Sequence, residues 1–225
     1  MKAMILAAGR GERMRPLTDT IPKALLKVNG HSLIEYHVKA LVKAGITDII
    51  INHAHLGAQI ETALGNGSGY GATITYSPEG EVGLETGGGI YKALPLLGDD
   101  PFIVVNADIF TDYPFKQLLR NHSRPEHVVL VDNPSFKRQG DFALEDLRVV
   151  NEGQTYLTYS GIGVYSPSLF KDCTPGTFSL VPLLRRAADA GQVTGEHYKG
   201  IWYDIGTPER LRMVEKIMSK QQSRR

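Results

Sequence analysis

The chain has 225 residues, 42% of them hydrophobic and 22% charged, which is enough to bury a substantial core as a single domain over 1–225. Its formal net charge of +1 leaves no basic stripe for nucleic acid or a membrane surface, and no apolar run reaches the roughly 20 residues that span a bilayer. The single cysteine, Cys173, excludes an internal disulfide and fits a cytoplasmic location. Composition thus gives no reason to expect nucleic acid or membrane as partners, and it is silent on oligomeric state.

Hydrophobic periodicity in the first half predicts strands that alternate with helices. The apolar runs predict strands at Ala3–Ala7, Asp48–Asn52, Thr73–Tyr76 and Phe102–Asn106. Helical patterns fall near Ser32–Ala44, Leu56–Leu64, Thr86–Leu94 and Phe115–Asn121. Ser32 and Glu35 have the spacing of a capping box, and Gly45 is a plausible stop. This alternation predicts an α/β fold, Rossmann-like, with a mainly parallel sheet flanked by helices.

From Val128 onward the pattern is richer in strands. The predicted strands are Val128–Val131, Phe142–Leu144, Leu147–Val150 and Tyr156–Tyr165. Helices are predicted near Ser179–Ala190 and Pro208–Ser219. We expect these strands to form a small antiparallel sheet insertion over the ligand site.

The turn after the first strand combines glycines with positive charge. It contains Gly9, Gly11, Arg10, Arg13, Arg15 and, a little further on, Lys23. Glycines let backbone N–H groups approach an anion, and the cations neutralise charge on phosphate oxygens. A Walker A string does not occur, and Met14 stands where a dinucleotide fingerprint needs its third glycine. The turn therefore predicts a nucleoside triphosphate as ligand, with an ordinary turn carrying solvated arginines as the alternative.

This turn resembles the signature of the sugar-1-phosphate nucleotidylyltransferases, L-x-x-G-x-G-x-R-x-x-P-x-T followed by P-K. The matching residues are Leu6, Gly9, Gly11, Arg13, Pro16, Thr18, Pro22 and Lys23. The resemblance implies the nucleotide-diphospho-sugar transferase type of fold and the transfer of a nucleotidyl group from a nucleoside triphosphate to a sugar 1-phosphate. It assigns Arg13 and Lys23 as catalytic cations, and the backbone at Ala8, Gly9 and Gly11 to the nucleotide.

Two aspartates are candidates for holding Mg²⁺. Asp108 follows the apolar strand that ends in Val104-Val105-Asn106, and Asp204 precedes a helix that begins at Thr207-Pro208. Carboxylate oxygens are hard ligands that suit this ion. Asp204 lies in a segment that resembles the family's W-x-D-x-G-T-P-x-x-L element, which implies that both aspartates bind the catalytic magnesium. The alternatives are a turn aspartate at 108 and a helix-dipole partner at 204.

The segment from Glu79 to Gly89 is the candidate nucleoside site. Three successive glycines, 87–89, at the start of a helix each cost about 1 kcal/mol relative to alanine, so something must lie close to them. In the family the corresponding region lies under the nucleotide. The resemblance therefore assigns Gly83, Leu84 and Thr86 to the nucleoside and Glu79 to a base contact. A tightly packed helix-on-sheet contact is the alternative.

The sugar side is less clearly marked. The strand Thr158–Tyr165 resembles the one that carries the family's sugar-contacting glycine, here Gly161. The Glu-Lys-Pro triplet of many relatives is missing, since the chain reads Val150-Asn151-Glu152-Gly153 in that region. Asn106 and Asp141 are the further candidates for the sugar, and Asp141 is equally compatible with a turn residue.

Within the family, the chain is most similar to short bacterial members that use UTP and N-acetylmuramate 1-phosphate in cell-wall sugar recycling. The carboxylate of such a sugar would require a cation. The candidates are Lys137, Arg138, Arg148 and Lys199. Two alternatives stay open: a sister enzyme that makes another nucleotide sugar, such as a mannose-1-phosphate guanylyltransferase, and a non-catalytic nucleotide-sugar sensor.

Overall fold

The protein is described by a computed structural model that covers residues 1–120 and 125–222. The strands in this range are β1 (Ala3–Leu6), β2 (Lys27–Val28), β3 (His31–Ser32), β4 (Asp48–His53), β5 (Thr73–Pro78), β6 (Phe102–Asn106), β7 (Ile109–Thr111), β8 (Glu126–Val131), β9 (Phe142–Glu145), β10 (Arg148–Val150), β11 (Tyr156–Tyr165), β12 (Val193–Tyr198) and β13 (Trp202–Asp204). The helices are α1 (Leu33–Lys43), α2 (Gly57–Leu64), α3 (Glu85–Leu97), α4 (Val181–Asp189) and α5 (Pro208–Gln222). None of them is long and apolar enough to cross a membrane.

One large mixed sheet organises the fold, in the order β5-β4-β1-β6-β11-β8-β12-β10-β9. The pairings β5–β4, β4–β1, β1–β6 and β8–β12 are parallel, whereas β11 is antiparallel to β6 and β8. Only β11 and β10 therefore run against the common strand direction in this sheet. The predicted Rossmann-like, mainly parallel α/β fold is confirmed.

The strands predicted from Val128 onward join this same sheet, with β11 beside β6 and β10 and β9 at the far edge. Two separate two-stranded antiparallel sheets are also present, β2–β3 and β7–β13. The second of these brings the end of the chain back to the residues that follow β6. It therefore places the two predicted metal-binding segments on neighbouring strands.

Three apolar clusters pack around these sheets. One lies on the α1 side and includes Ile5, Ile51 and Val105. A second lies on the α3 and α4 side, with Met4 and Val104 at its centre. Since successive strand residues point to opposite faces, β1 and β6 supply both clusters, as expected for central strands covered on both sides. The third cluster packs the segment after the glycine turn against α1 and α5. It includes Met14, Leu33, Phe110, Ile205 and Val214.

Most predicted elements are present, with shifted ends. The capping box at Ser32 and Glu35 starts α1 as predicted, because Glu35 accepts hydrogen bonds from the Ser32 backbone and hydroxyl. Helix α3 continues past Leu94 with Pro95 inside it. The predicted helix Phe115–Asn121 is a 3-10 segment, Phe115–Arg120, and Asn121 lies outside the described residues. The strands β2, β3, β7, β12 and β13 were not predicted.

Candidate active site

The carboxyl ends of β1, β4 and β6 meet at a cleft of about 650 Å³. In an open parallel sheet this edge is where ligands bind. Of the predicted site residues, the cleft is lined by Ala8, Gly9, Gly11, Lys23, Gly83, Thr86, Asn106 and Asp108. The lining does not include Arg13, Glu79, Leu84, Asp141, Gly161 and Asp204.

The glycine turn is held in shape by its own backbone. Gly11 has φ +67°, a left-handed conformation that suits glycine, and its carbonyl accepts hydrogen bonds from Met14 N and the Thr18 hydroxyl at 2.8 Å each. A Cβ at Gly11 would lie 3.0 Å from Thr18 and 3.1 Å from Lys23. The small residue therefore allows Lys23 to pass close beneath the turn and reach the cleft.

Lys23 and Asp108 form an ion pair in the cleft. Lys23 Nζ donates to Asp108 Oδ2 at 2.5 Å, and the lysine side chain is only 10% exposed while the aspartate is 37% exposed. Lys23 comes from the 3-10 turn Lys23–Leu25, whereas Asp108 follows β6. The structure therefore brings together two predicted residues that lie 85 positions apart in the sequence.

Asp204 lies on β13 beside β7, and the Ile205 N–H donates to the Asp108 carbonyl at 2.9 Å. Its carboxylate binds Arg210, with Nη1 to Oδ2 at 2.7 Å. A Cβ at Gly206 would lie 2.9 Å from Arg210 Nη1, 3.1 Å from Asp204 Oδ1 and 3.2 Å from Arg13 Nη2. Gly206 therefore leaves room for the guanidinium groups of Arg210 and Arg13, and Arg210 is the one that pairs with Asp204.

The two aspartates are the residues that suit a metal ion in this region. The described residues contain no group of three or more His, Cys, Asp or Glu side chains that could hold one. Mg²⁺ does not need such a cage, because it commonly binds one or two carboxylates together with substrate phosphates. Asp108 and Asp204 stand on paired segments and supply hard oxygen ligands, so they fit this ion. Each now faces a cation, Lys23 or Arg210.

The nucleoside side is supported by a buried polar chain. Asn52, at the end of β4, accepts from Ala7 N at 3.0 Å and donates to Glu79 Oε1 at 2.6 Å. The other carboxylate oxygen of Glu79 accepts from Leu84 N at 2.6 Å. Glu79 is buried and its oxygens are engaged within the protein. Its position is therefore that of a support for the loop, behind the cleft lining, and not that of the predicted base contact.

The three glycines of α3 pack against protein. A Cβ at Gly87 would lie 2.5 Å from Phe178, one at Gly88 2.2 Å from the Gly176 carbonyl, and one at Gly89 2.5 Å from Glu79. Close packing against protein, which was the alternative, explains the absence of side chains at these three positions. Thr86, which lines the cleft, accepts at Oγ1 from Leu180 N at 2.9 Å.

Gly161 and Asn106 meet where β11 departs from regular pairing with β8. Gly161 has φ +83°, and a Cβ there would lie 2.6 Å from Asn106 Nδ2. The preceding carbonyl, of Ser160, accepts from Trp202 Nε1 at 2.9 Å. Gly161 thus lies beside a cleft residue, and the Ser160 carbonyl joins this irregular point of β11 to β13.

Asp141 is occupied by its own loop. Its Oδ2 accepts from Lys137 Nζ at 2.5 Å and from Tyr159 N at 2.8 Å, which matches the alternative of a turn residue. Of the candidate cations for a sugar carboxylate, Lys137 is therefore paired, and Arg148 lies against Gly191. Arg138 and Lys199 are exposed.

A neutral histidine supports the strand after Asp108. His37 is fully buried on α1 and its Nε2 lies 2.9 Å from the Ile109 carbonyl. Burial lowers the pKa of His37 to about 4, which outweighs the opposing influence of the Ile109 carbonyl and the Asp108 charge. The imidazole is therefore neutral near pH 7 and donates a hydrogen bond without adding charge beside the carboxylates.

Several contributors were not predicted from sequence. Arg210 binds Asp204 and its guanidinium carbon lies 3.3 Å from the centre of the exposed Phe136 ring. Glu81, Val82 and Glu85 line the cleft. Asn52, which also lines the cleft, carries a usable sequence signal, because it is a polar residue at the end of an apolar strand.

Comparison with known proteins places these features in context. Residues 2–140 match a sequence family described as nucleotidyl transferase. The chain is 50% identical over 226 residues to an N-acetylmuramate alpha-1-phosphate uridylyltransferase of Neisseria meningitidis serogroup B, covering 96% of this chain and 98% of that protein. A Caulobacter vibrioides protein with the same description is 34% identical over 223 residues. The alignment covers 92% of this chain and 92% of that protein. A solved UDP-glucose pyrophosphorylase in complex with UDP-glucose has the same fold, with a TM-score of 0.77 at 22% identity over 98% of this chain and 100% of that one.

Proposed function

The chain belongs to the nucleotidyl transferase family, and on that premise we propose that it joins N-acetylmuramate 1-phosphate to UTP, giving a UDP-sugar and pyrophosphate in cell-wall sugar recycling. The observation that carries the proposal is the 50% identity to a uridylyltransferase for this sugar over almost the full length of both chains. The cleft supports it, since it combines a glycine turn, a buried lysine and an aspartate at the carboxyl ends of parallel strands.

The proposed reaction is an in-line displacement at the α-phosphorus of UTP. An oxygen of the sugar phosphate forms a new bond to that phosphorus, and the bond to the bridging oxygen of pyrophosphate breaks. A phosphate oxygen is already an adequate nucleophile, so no general base is required. Positioning and charge neutralisation therefore dominate the work of the protein.

The proposed phosphate-binding roles come from the family resemblance, and the cleft lining supports those of Lys23 and the glycine turn. Lys23 is the buried cation of the cleft and contacts the α-phosphate and the incoming phosphate in this proposal. Arg13, in the 3-10 segment that follows Gly11, is assigned to the β- and γ-phosphates. The backbone at Ala8, Gly9 and Gly11 holds the nucleotide, which their place in the lining supports.

Asp108 and Asp204 would hold Mg²⁺. When bound, the ion would withdraw charge from the phosphate oxygens of the nucleotide. The two carboxylates are at present neutralised by Lys23 and Arg210. Each cation can therefore turn to a phosphate when its carboxylate takes up the ion.

The remaining contacts divide between the two ends of the cleft. Gly83, Leu84 and Thr86 are assigned to the nucleoside, with Glu79 fixing the loop from behind. Gly83 packs closely against the glycine turn, since a Cβ there would lie 3.0 Å from the Ala8 carbonyl. Asn106 and Gly161, at the other end, are assigned to the sugar. Asp141 organises the sugar-side loop through Lys137 and Tyr159 and acts on the sugar indirectly.

A substrate panel tests the proposal. Purified protein is incubated with UTP, GTP, CTP or ATP and with N-acetylmuramate, glucose, N-acetylglucosamine or mannose 1-phosphate, and pyrophosphate release is followed with Mg²⁺ and with a chelator. We expect release only with metal, and fastest with UTP and N-acetylmuramate 1-phosphate. A preference for GTP and mannose 1-phosphate would assign the sister activity instead. Absence of release from every combination, with nucleotide binding retained, would indicate a sensor.

A further inference from the structure

One residue of the cleft has an unfavourable backbone conformation. Among the described residues, the non-glycine residues with left-handed φ are Asn29, Leu56, Glu85 and Asp146. Asparagine and aspartate adopt this region comparatively easily, whereas leucine and glutamate do so at a cost. Of the latter two, Glu85, with φ +60°, lines the cleft and Leu56 does not. Strain of this kind persists where the surroundings enforce it and is often associated with function.

The backbone on both sides of Glu85 is fixed by hydrogen bonds. Leu84 N donates to Glu79 at 2.6 Å, and the Leu84 carbonyl accepts from Phe178 N at 3.2 Å. Thr86 Oγ1 accepts from Leu180 N at 2.9 Å. Gly87 N then donates to the Phe178 carbonyl at 2.9 Å. These contacts leave the Glu85 backbone little freedom, so a glycine would be the least strained residue there.

The side chain of Glu85 gains nothing from the protein in return. It is exposed on the cleft side, and no hydrogen bond or ion pair joins it to another residue of the described parts of the chain. We propose that the Glu85 carboxylate accepts hydrogen bonds from the 2′- and 3′-hydroxyls of the nucleotide ribose. The proposal deepens the proposed function, on which it rests for the identity of the nucleotide.

The position of Glu85 favours the ribose over the other parts of the nucleotide. It stands at the start of α3, on the side of the cleft formed by β4 and the loop that Glu79 supports, whereas Lys23 and Asp108 mark the phosphate end. A carboxylate repels phosphates. Uracil offers one N–H between two carbonyl oxygens, which also repel a carboxylate. The ribose diol has two donors and no charge, so it suits both carboxylate oxygens.

A binding cycle tests the assignment. Dissociation constants are measured calorimetrically for UTP, 2′-deoxy-UTP and 3′-deoxy-UTP with the wild type and with Glu85→Ala, Glu85→Gln and Glu85→Gly. We expect the wild type to bind UTP about tenfold more tightly than either deoxy analogue, because a hydrogen bond to a charged acceptor is lost. Glu85→Ala and Glu85→Gly should bind all three within about twofold, and Glu85→Gln should retain part of the preference. Survival of the full preference in Glu85→Ala would overturn the proposal.

Glu81→Gln is the control, because Glu81 is another exposed glutamate of the cleft lining and lies in the same loop. It removes the same charge and should change the affinity for UTP and for both analogues by one common factor. If it abolishes the discrimination as Glu85→Ala does, the effect is one of general charge and the ribose contact is refuted.

The cycle is independent of the base. Should the substrate panel select another triphosphate, the same measurements with that nucleotide and its deoxy analogues still decide the role of Glu85, while the proposed uridylyl transfer alone fails. If instead Glu85 discriminates between bases and ignores the hydroxyls, the panel result stands and the ribose assignment is wrong.

A melting experiment tests the strain itself. Glu85→Gly relieves the left-handed conformation and Glu85→Ala retains it, although both remove the carboxylate. We expect the glycine variant to melt about 2 °C above the alanine variant. Equal melting temperatures, or a higher one for alanine, would contradict an enforced conformation at this position.

Discussion

Two lysine–aspartate pairs have the same contact distance and different surroundings. Lys23–Asp108 and Lys137–Asp141 both show Nζ to Oδ2 distances of 2.5 Å. The first pair joins segments far apart in the sequence and lines the cleft. The second lies within one loop at i,i+4, and the same Asp141 oxygen also accepts from Tyr159 N.

The difference shows that an ion pair by itself does not mark a site. Asp141 Oδ2 accepts two hydrogen bonds from its own loop, so a ligand that binds this oxygen has to displace structural bonds. Asp108 lines the cleft, and its carboxylate pairs with Lys23, a residue that can turn to a phosphate. The pair that can exchange its partner is the one suited to a charged ligand. The following tests change matched members of the two pairs or of their surroundings.

The largest effect is expected from Asp108→Asn. Turnover should fall about hundredfold or more, because a charged contact in the reacting region is lost, while the melting temperature stays close to that of the wild type. Asp141→Asn should affect stability more than turnover, and should lower the free energy of unfolding by about 1 kcal/mol. It should raise KM for the sugar phosphate more than it lowers kcat. Steady-state kinetics beside thermal melts separate the two. Equal kinetic losses in both variants would end the distinction between the pairs.

Lys23→Ala should lower kcat by about a hundredfold and weaken UTP binding by less, because part of its charge acts on the transition state. Lys137→Ala is the control with the same atoms removed, and its kcat should change by less than about threefold. The measurement is single-turnover rate together with the UTP dissociation constant. If Lys23→Ala loses rate and affinity equally, the lysine has a plain binding role.

Gly161→Ala probes the irregular strand between the two pairs. The left-handed φ of +83° and a contact of 2.6 Å to Asn106 Nδ2 should together lower the free energy of unfolding by about 1–3 kcal/mol. KM for the sugar phosphate should rise as Asn106 is displaced. The double variant Asn106→Ala/Gly161→Ala should recover part of the stability, since the contact is then relieved. No recovery would attribute the loss to backbone strain alone.

The last test concerns pH and compares two buried titratable groups, Glu126 and His37. Glu126, at the start of β8 and away from the cleft, is buried, and burial raises its pKa from 4.5 to about 7, although Ser166 opposes this with two hydrogen bonds. Because this pKa is raised in the folded state, the protein is more stable below pH 4.5. The free energy of unfolding then falls as pH rises to about 7, by at most about 1.4 kcal/mol per pH unit.

For His37 the free energy of unfolding changes with pH in the opposite direction. Its pKa is lowered, so the stability present above pH 6.5 is lost as pH falls toward 4. Denaturant melts of Glu126→Gln should therefore show stability rising relative to the wild type between pH 4.5 and 7, with activity unchanged. A variant that parallels the wild type over this range would show that Glu126 does not carry the dependence.

The phosphate side could be predicted because its residues are close in the sequence. The turn around Gly9 and Gly11 lies in one short segment, so spacing alone identified it, and Asp108 followed from its place after an apolar strand. The helix α1 was readable from its capping box for the same local reason.

The rest depends on contacts that no local pattern contains. Strand β12 carries Gly195, Glu196 and His197, so its composition is not that of a buried strand, and β13 has only three residues. Helix α3 continues through Pro95, which from sequence favours an end at Leu94. The glycines of α3 indicated a close neighbour, but the sequence did not identify it. For Gly87 and Gly88 this neighbour is the segment around Phe178. Arg210 reaches Asp204 only once α5 has docked.

The chain of contacts from Ala7 through Asn52 and Glu79 to Leu84 has a consequence for protein engineering. Its members belong to separate segments, and Gly89 is confined by both Asn52 and Glu79, with a Cβ predicted at 2.7 Å and 2.5 Å from them. A graft that imports only residues 79–86 from an enzyme with another base preference would lack the residues at 52 and 89 that support this loop. Working chimeras should need the imported loop together with its own residues at 52 and 89.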